Sequence, residues 1–191
     1  RVIKFPDQLE SEFKLQKPKI VGFSCYMWNA DLSLKIAKQI KLEAPEVVII
    51  FGGPNYPCDV SHQEQWLRRN NHVDFFIPFE AEIPFCALIS ALHDLDGDVI
   101  AVKKLKIPGI DSLNGENVYI TPGTATEKLM LLDEIPSPYV SGYLDQYFET
   151  SLWPILQTKR GCPFHCAFCV EGDDYYNKVR RRSAEVVEEE L

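Results

Sequence analysis

The sequence predicts an α/β protein: a parallel sheet with helices between its strands, then a β-hairpin, a connector and the opening of a second domain. Three observations lead there. Strand-like apolar runs alternate with helical patterns across residues 19–93, which is how a right-handed parallel α/β sheet is written. One run, Val47-Val48-Ile49-Ile50-Phe51, has no polar interruption, as suits a strand buried on both faces. The alternation then stops, Pro122, Pro136, Pro138 and Pro154 enter, and three cysteines crowd together near the end. The expected division is an α/β domain over 1–121, a connector over 122–153 and the start of a second domain over 154–191.

Each element has its own justification. Lys19 to Ser24 is a short apolar strand. Asp31 is placed to cap a helix whose Leu32, Ile36 and Ile40 share one face, and Pro45 closes it before the strand at 47–51. Ser61-His62-Gln63-Glu64 is a capping-box pattern that opens a helix through Trp66 and Leu67. Val73 to Ile77 reads as a strand and Pro84 to His93 as a helix. Val99 to Ile110 and Glu116 to Ile120 flank Asn114-Gly115, the favoured type I′ dipeptide, so a hairpin is expected there. Pro154 to Lys159 reads as a strand running into the cysteines, and Ser183 caps a last helix.

The composition, 46% hydrophobic and 25% charged over 191 residues, is that of a soluble globular protein. A net charge of −8 argues against a general nucleic-acid surface. Arg180-Arg181-Arg182 and Glu188-Glu189-Glu190 read together as a solvated helix face. No apolar run approaches the roughly 20 residues of a membrane helix, and the start carries no signal-peptide pattern. Six cysteines, three clustered and three scattered, suit a reducing compartment. The expectation is a cytoplasmic protein.

The cluster lies in TKRGCPFHCAFCVEGDDYY, where Cys162, Cys166 and Cys169 have spacing C-x3-C-x2-C. Gly161 and Pro163 keep the backbone out of regular structure, so that three sulfurs can converge. A structural zinc closes with four ligands, and no second cysteine pair follows. His165 is adjacent to Cys166, and neighbouring side chains seldom reach one ion together. A two-cysteine redox pair leaves Cys162 unexplained, and an electron-carrying ferredoxin supplies four thiolates per cluster. Three thiolates with a vacancy suit an iron–sulfur cube whose fourth iron binds a substrate or cofactor.

This spacing, with Phe168 before the last cysteine, resembles the signature of the radical S-adenosylmethionine superfamily. The resemblance implies that Cys162, Cys166 and Cys169 ligate a 4Fe-4S cluster and that Phe168 lies beside the adenine. It implies S-adenosylmethionine on the open iron, cleaved by an electron to a 5′-deoxyadenosyl radical. It also implies a strand, cysteine loop and helix opening a (β/α) barrel, of which 154–191 would be the first part.

The first half has its own likeness. Ser24-Cys25-Tyr26 follows one strand and Gly52-Gly53-Pro54 the next. VGFSCYMWNADLSLKIAKQI, PEVVIIFGGPNYP and LDEIPSPYVSGYLD resemble the Rossmann-like cobalamin-binding domain and connector of cobalamin-dependent radical enzymes. The resemblance places Ser24, Tyr26, Gly52, Gly53 and Pro54 around the cofactor's nucleotide tail, where glycines permit close approach. Glu80 joins them through Phe79-Glu80-Ala81-Glu82, which stands where the family often has G-E-G-E, with both glycines replaced. The family's D-x-H-x-x-G motif is not among the visible residues. His62, His72 and His93 read as surface or helix residues, and His165 belongs to the cysteine loop.

The reading is a radical S-adenosylmethionine enzyme with cobalamin that methylates an unactivated carbon of a small-molecule substrate. It would draw electrons from a donor such as flavodoxin or ferredoxin. Two alternatives stand beside it. Cys25, Cys58 and Cys86 allow a methylthiotransferase with a second cluster in its α/β domain. The α/β half could equally be a non-catalytic docking domain beside a zinc-binding cysteine loop.

Overall fold

The computed structural model describes residues 6–121, 131–148, 152–172 and 174–191, and the chain divides into two compact units, Arg1–Thr126 and Glu127–Leu191. The first is built on three parallel strands in the order β1 (Ile20–Ser24), β2 (Val48–Gly52) and β3 (Phe75–Ile77). Before them comes α1 (Pro6–Gln16), and between and after them come α2 (Ala30–Glu43), α3 (Val60–Arg69) and α4 (Glu82–Asp94).

Central β2 explains its own composition. Ile49 and Phe51 face a core with Ala37, Ile40, Leu67 and Phe76, while Val48 and Ile50 face a second with Phe75, Leu88 and Val102. Alternate side chains leave a strand on opposite sides, so a strand covered twice must be apolar throughout.

Asp74, just before β3, joins the two helical layers. Its Oδ2 accepts the Ile49 N–H at 2.8 Å and meets Lys41 Nζ at 2.7 Å, while Oδ1 lies 3.7 Å from Lys103 Nζ. Lys41 belongs to α2 and Lys103 to α5 (Val99–Leu105), elements packed on opposite faces. Burial holds the Lys103 ammonium below the usual lysine range, against the pull of Asp74.

Four local expectations are corrected. Residues 99–105 form helix α5, not a hairpin strand: the Asp98 carboxylate accepts the Ala101 N–H at 3.0 Å and so caps the helix. A strand would place Lys103 on the same face as Val99 and Ala101. The helix buries Val102 and lets Lys103 reach Asp74, so packing overrides β propensity. The hairpin is β4 (Ser112–Asn114) with β5 (Asn117–Tyr119), and its two-residue loop is Gly115-Glu116, one position later than expected. Gly115 takes φ 61°, which suits the glycine-first type II′ turn.

Helix α3 is capped by Asp59, two residues before the expected Ser61; Asp59 accepts the His62 N–H at 3.0 Å, and the Ser61 hydroxyl donates to the same carboxylate. Helix α2 starts after Asn29 and buries Ala30, Ser33, Ala37 and Ile40. The expected Leu32 and Ile36 instead line a groove of about 610 Å³ with Phe13 of α1 and Val21 of β1.

In the second unit, β6 (Lys159–Arg160) pairs antiparallel with β7 (Arg180–Arg181), and α6 (Ala184–Glu190) is capped by Ser183 as expected. The strand expected over 154–159 reduces to β6, because 154–158 carries no ladder partner among the described residues. After the cysteines come the 3-10 turns Val170–Gly172 and Asp174–Tyr176 instead of an α-helix. The arginine run is not a solvated helix face either. Arg180 is buried in β7, and Arg182 pairs with Glu190 at 3.2 Å with both side chains below a tenth exposed. The Ser183 N–H donates to Asp133 Oδ1 at 3.0 Å, which fixes the 3-10 turn Leu132–Glu134 to the start of α6. Among the described residues no helix is long and apolar enough to cross a membrane.

Candidate functional site

In a parallel sheet the loops leaving the carboxyl ends of the strands make the crevice where ligands bind. Here they are the segments after β1, β2 and β3. The first is fixed by Asn29, whose Oδ1 accepts the Tyr26 N–H at 2.8 Å and whose Nδ2 donates to Ser24 Oγ at 2.9 Å. Tyr26 and Trp28 stack with ring centroids 4.7 Å apart and planes 9° apart. Trp28 is 77% exposed and Met27 83%, an apolar ledge at the rim of the sheet.

The loop after β2 is bound to the first. Cys25 N–H donates to Gly52 O at 2.7 Å, Asn55 N–H to Cys25 O at 3.0 Å, and Gly53 N–H to Ile77 O at 3.4 Å. Ser24, Tyr26, Gly52, Gly53 and Pro54 are thereby brought together, with half-buried Glu80 on the loop after β3. The glycines also have a task within the chain. A Cβ on Gly53, whose φ is 129°, would lie 2.8 Å from Cys25 O, and one on Gly52 would lie 3.4 Å from Ile77 O. What approaches Gly53 closely is the chain's own backbone, so its first task is to dock two loops.

Below this rim sit groups that sequence reasoning missed. Asp111 is fully buried; its Oδ1 accepts the Thr121 N–H at 2.7 Å, and the Tyr56 hydroxyl faces the carboxylate. Burial pushes its carboxyl up to about 6 from an ordinary 3.8, against the Thr121 N–H and the facing Tyr56 hydroxyl. An acid with a raised folded-state pKa contributes stability that is complete below the ordinary value and lost as pH rises through the folded one. Urea unfolding should therefore show stability falling by about 3 kcal/mol between about pH 4 and 6 from this group. Asp111→Asn should remove that component of the pH slope.

Other charged groups at the rim are ordinary. Asp59 is held down to about 2 by the His62 N–H first, then by the Ser61 hydroxyl and the His62 ring. Cys25 is buried, and burial raises its thiol, with Sγ donating to Asn55 O at 3.3 Å. Cys58 and Cys86 are exposed.

The cysteine loop belongs to the second unit. Gly161, with φ 94°, runs against the Lys178 and Tyr176 carbonyls, where a Cβ would be 2.3 and 2.9 Å away. The Cys162 N–H donates to Tyr176 O at 2.8 Å, the Cys169 N–H to Cys166 O at 3.0 Å and the Gly172 N–H to Cys169 O at 3.0 Å. His165 Nδ1 faces Gly172 O at 3.1 Å, a backbone contact and not part of a thiolate set. Cys166 and Cys169 are exposed, Cys162 is half-buried, Phe168 is 94% exposed, and all three thiols are free. Their chemistry fits an iron–sulfur cluster with one open iron. Among the described residues, no three His, Cys, Asp or Glu side chains are gathered to hold a metal. The braced loop thus carries the donors without converging them.

Residues 3–89 match the B12 binding domain family. The chain is 28% identical over 181 residues to the cobalamin-dependent radical SAM methyltransferase TokK of Streptomyces tokunonensis, covering 92% of this chain and 25% of that protein. It is 30% identical over 181 residues to the 2-(S-pantetheinyl)-carbapenam-3-carboxylate methyltransferase of Streptantibioticus cattleyicolor, covering 91% and 25%. Hopanoid C-3 methylase of Methylococcus capsulatus is 26% identical over 183 residues, covering 94% and 33%. The chain thus spans a quarter to a third of the length of these relatives. It is homologous to cobalamin-dependent radical SAM methyltransferases across both the B12-binding domain and the cysteine loop.

Proposed function

We propose that this chain is the cofactor platform and cluster loop of an enzyme that methylates an unactivated carbon of a small molecule. The observation that carries the reading is the alignment to such methyltransferases over 92% of the chain, Gly-Gly loop and cysteine triplet together. In this reading Cys162, Cys166 and Cys169 hold a 4Fe-4S cluster, and Phe168 borders the adenine of S-adenosylmethionine. Ser24, Tyr26, Pro54 and Glu80 surround the cobalamin tail, while Gly52 and Gly53 hold their loop open to it. When bound, the cluster supplies the electron that generates the 5′-deoxyadenosyl radical and cobalamin supplies the methyl group. The protein's part is to bind, to orient and to exclude water. The flat Tyr26–Trp28 ledge supports the assignment, since an exposed aromatic stack offers apolar area to a large planar ligand.

The named relatives share methyl transfer, and the two whose names give a substrate, a carbapenam carboxylate and a hopanoid, differ in it, so the proposal stops at the class of small molecules. It includes an external donor of the flavodoxin or ferredoxin kind. It also includes a reducing, cytoplasmic setting, in keeping with six unpaired cysteines.

Two anaerobic measurements test the reading. Hydroxocobalamin should bind stoichiometrically, by visible spectrum and retention on desalting. Iron–sulfide reconstitution should give about four irons per chain, lost in the variant with all three loop cysteines changed to alanine. That variant should keep its cobalamin. A colourless chain with one zinc would sink the cluster assignment, and about eight irons, reduced by Cys25→Ala, would favour the methylthiotransferase.

A further inference from the structure

We propose that Asn29 is a positioning residue that makes Ser24 a fixed hydrogen-bond donor toward the nucleotide tail of cobalamin. This rests on the reading that the crevice takes that cofactor. Asn29 is half-buried, and its backbone is pinned on both sides. Its N–H donates to Tyr26 O at 3.1 Å, and its C=O accepts the Ser33 N–H of α2 at 2.9 Å. The side-chain amide is thereby anchored at the start of α2.

That amide has one workable orientation. The Tyr26 N–H is a donor and needs the oxygen, Oδ1 at 2.8 Å, which leaves Nδ2 for Ser24 Oγ at 2.9 Å. An amide NH2 offers protons and accepts none, so the Ser24 hydroxyl must accept from it and aim its own proton elsewhere. Among the described residues nothing takes that proton. Ser24 is exposed at the last position of β1 and lines the same groove as Val21 and Gly22, so the proton is open to a ligand. The nucleotide tail, with its phosphate, ribose and ring-nitrogen acceptors, is the part of cobalamin that such a donor suits.

Aspartate at position 29 inverts this polarity with almost no change of shape. One carboxylate oxygen keeps the Tyr26 N–H. The other draws the Ser24 proton into a charge-assisted bond, so that Ser24 turns only lone pairs to the ligand. The brace of the loop survives while the donor is lost. A residue that merely held the loop in shape would not discriminate in this way.

The test is a titration of the full chain with hydroxocobalamin and with cobinamide, the same corrin without its nucleotide tail. Wild type, Asn29→Asp, Ser24→Ala and the double variant are compared. Asn29→Asp should weaken hydroxocobalamin about tenfold and cobinamide less than about twofold. Ser24→Ala should weaken hydroxocobalamin about fivefold and spare cobinamide. Adding Asn29→Asp to Ser24→Ala should cost less than about twofold more, because the hydroxyl through which Asn29 acts is gone. Equal losses for the two corrinoids, or losses that multiply in the double variant, overturn the positioning role and leave the cofactor reading intact. Unchanged hydroxocobalamin binding by a folded Asn29→Asp does the same. Ser24→Ala alters one exposed side chain, so it serves even if Asn29→Asp does not fold: an unchanged ratio between the two corrinoids overturns the role. Failure of wild type to bind hydroxocobalamin overturns the cofactor reading, and this role with it.

Discussion

Replacing Asp74 by alanine should destabilise the α/β unit by about 4 kcal/mol, read as a lower urea midpoint with an unchanged slope. The carboxylate meets Lys41 and Lys103 where all three side chains are less than a fifth exposed. Removing it strands two ammonium groups in a poorly solvated site and leaves the Ile49 N–H without its acceptor. The cost is the penalty of the orphaned charges more than the worth of the pair. Adding Lys103→Met to Asp74→Ala should therefore recover part of the loss, because the half-orphaned charge is gone and the methylenes that pack near Phe75 remain. A single variant within about 1 kcal/mol of wild type would show that water reaches the cluster and that the two helical layers do not depend on it.

The parts legible in the sequence were those whose cause is local and repeated. β2 and β3 appear where apolar runs stand, because a strand covered on both faces can carry little else, and the edge strand β1, only half-buried, follows its own short apolar run. The Ser183 cap is a one-residue signal read correctly at its own site. α5 was not legible, since Val99-Ile100-Ala101-Val102 has the composition of a strand and only contact with the second core decides otherwise. The face of α2 was misplaced because small residues, Ala30, Ser33 and Ala37, let the helix lie close to the sheet and leave the larger Leu32 and Ile36 to a neighbouring groove. α1 passed unnoticed although Pro6 opens it and Phe13 packs into the core.

The site divides in the same way. The cysteine triplet declares itself by spacing, whereas the tight glycine contacts that shape its loop, Gly161 on Lys178 and Gly172 on Cys166, join residues whose nearness no spacing rule gives. Asn29 offered a weak signal, a side-chain amide just before a helix, but its bonds turn back into the loop and not forward to a cap. Asp111 offered none. An aspartate near a hairpin is ordinarily a turn residue, and its full burial arises because its backbone extends β3 by one bridge.

Gly53→Val should cost about 4 kcal/mol and abolish retention of hydroxocobalamin, by two separable routes. The first is conformational: at φ 129° a residue with a Cβ is strained whatever surrounds it, by about 1–3 kcal/mol. The second is steric: the added carbon would stand 2.8 Å from the Cys25 carbonyl oxygen and 3.1 Å from its nitrogen. Neither atom can retreat freely, since that N–H is bonded to Gly52 O and that C=O to the Asn55 N–H. Relief must come from parting the loops after β1 and β2, the two that carry Ser24, Tyr26 and Pro54. Gly53→Ala should lie between wild type and valine, because it carries the same strain with less bulk. Gly22→Ala is the matched control: it lies on β1, has no positive φ, and its Cβ would meet nothing within 4 Å. That variant should keep wild-type stability within about 0.5 kcal/mol and bind normally. Loss of binding in Gly53→Ala at a temperature where circular dichroism shows it fully folded would place the loop junction itself in the site. Normal binding by a folded Gly53→Val would show instead that the ligand does not depend on the docking of these two loops.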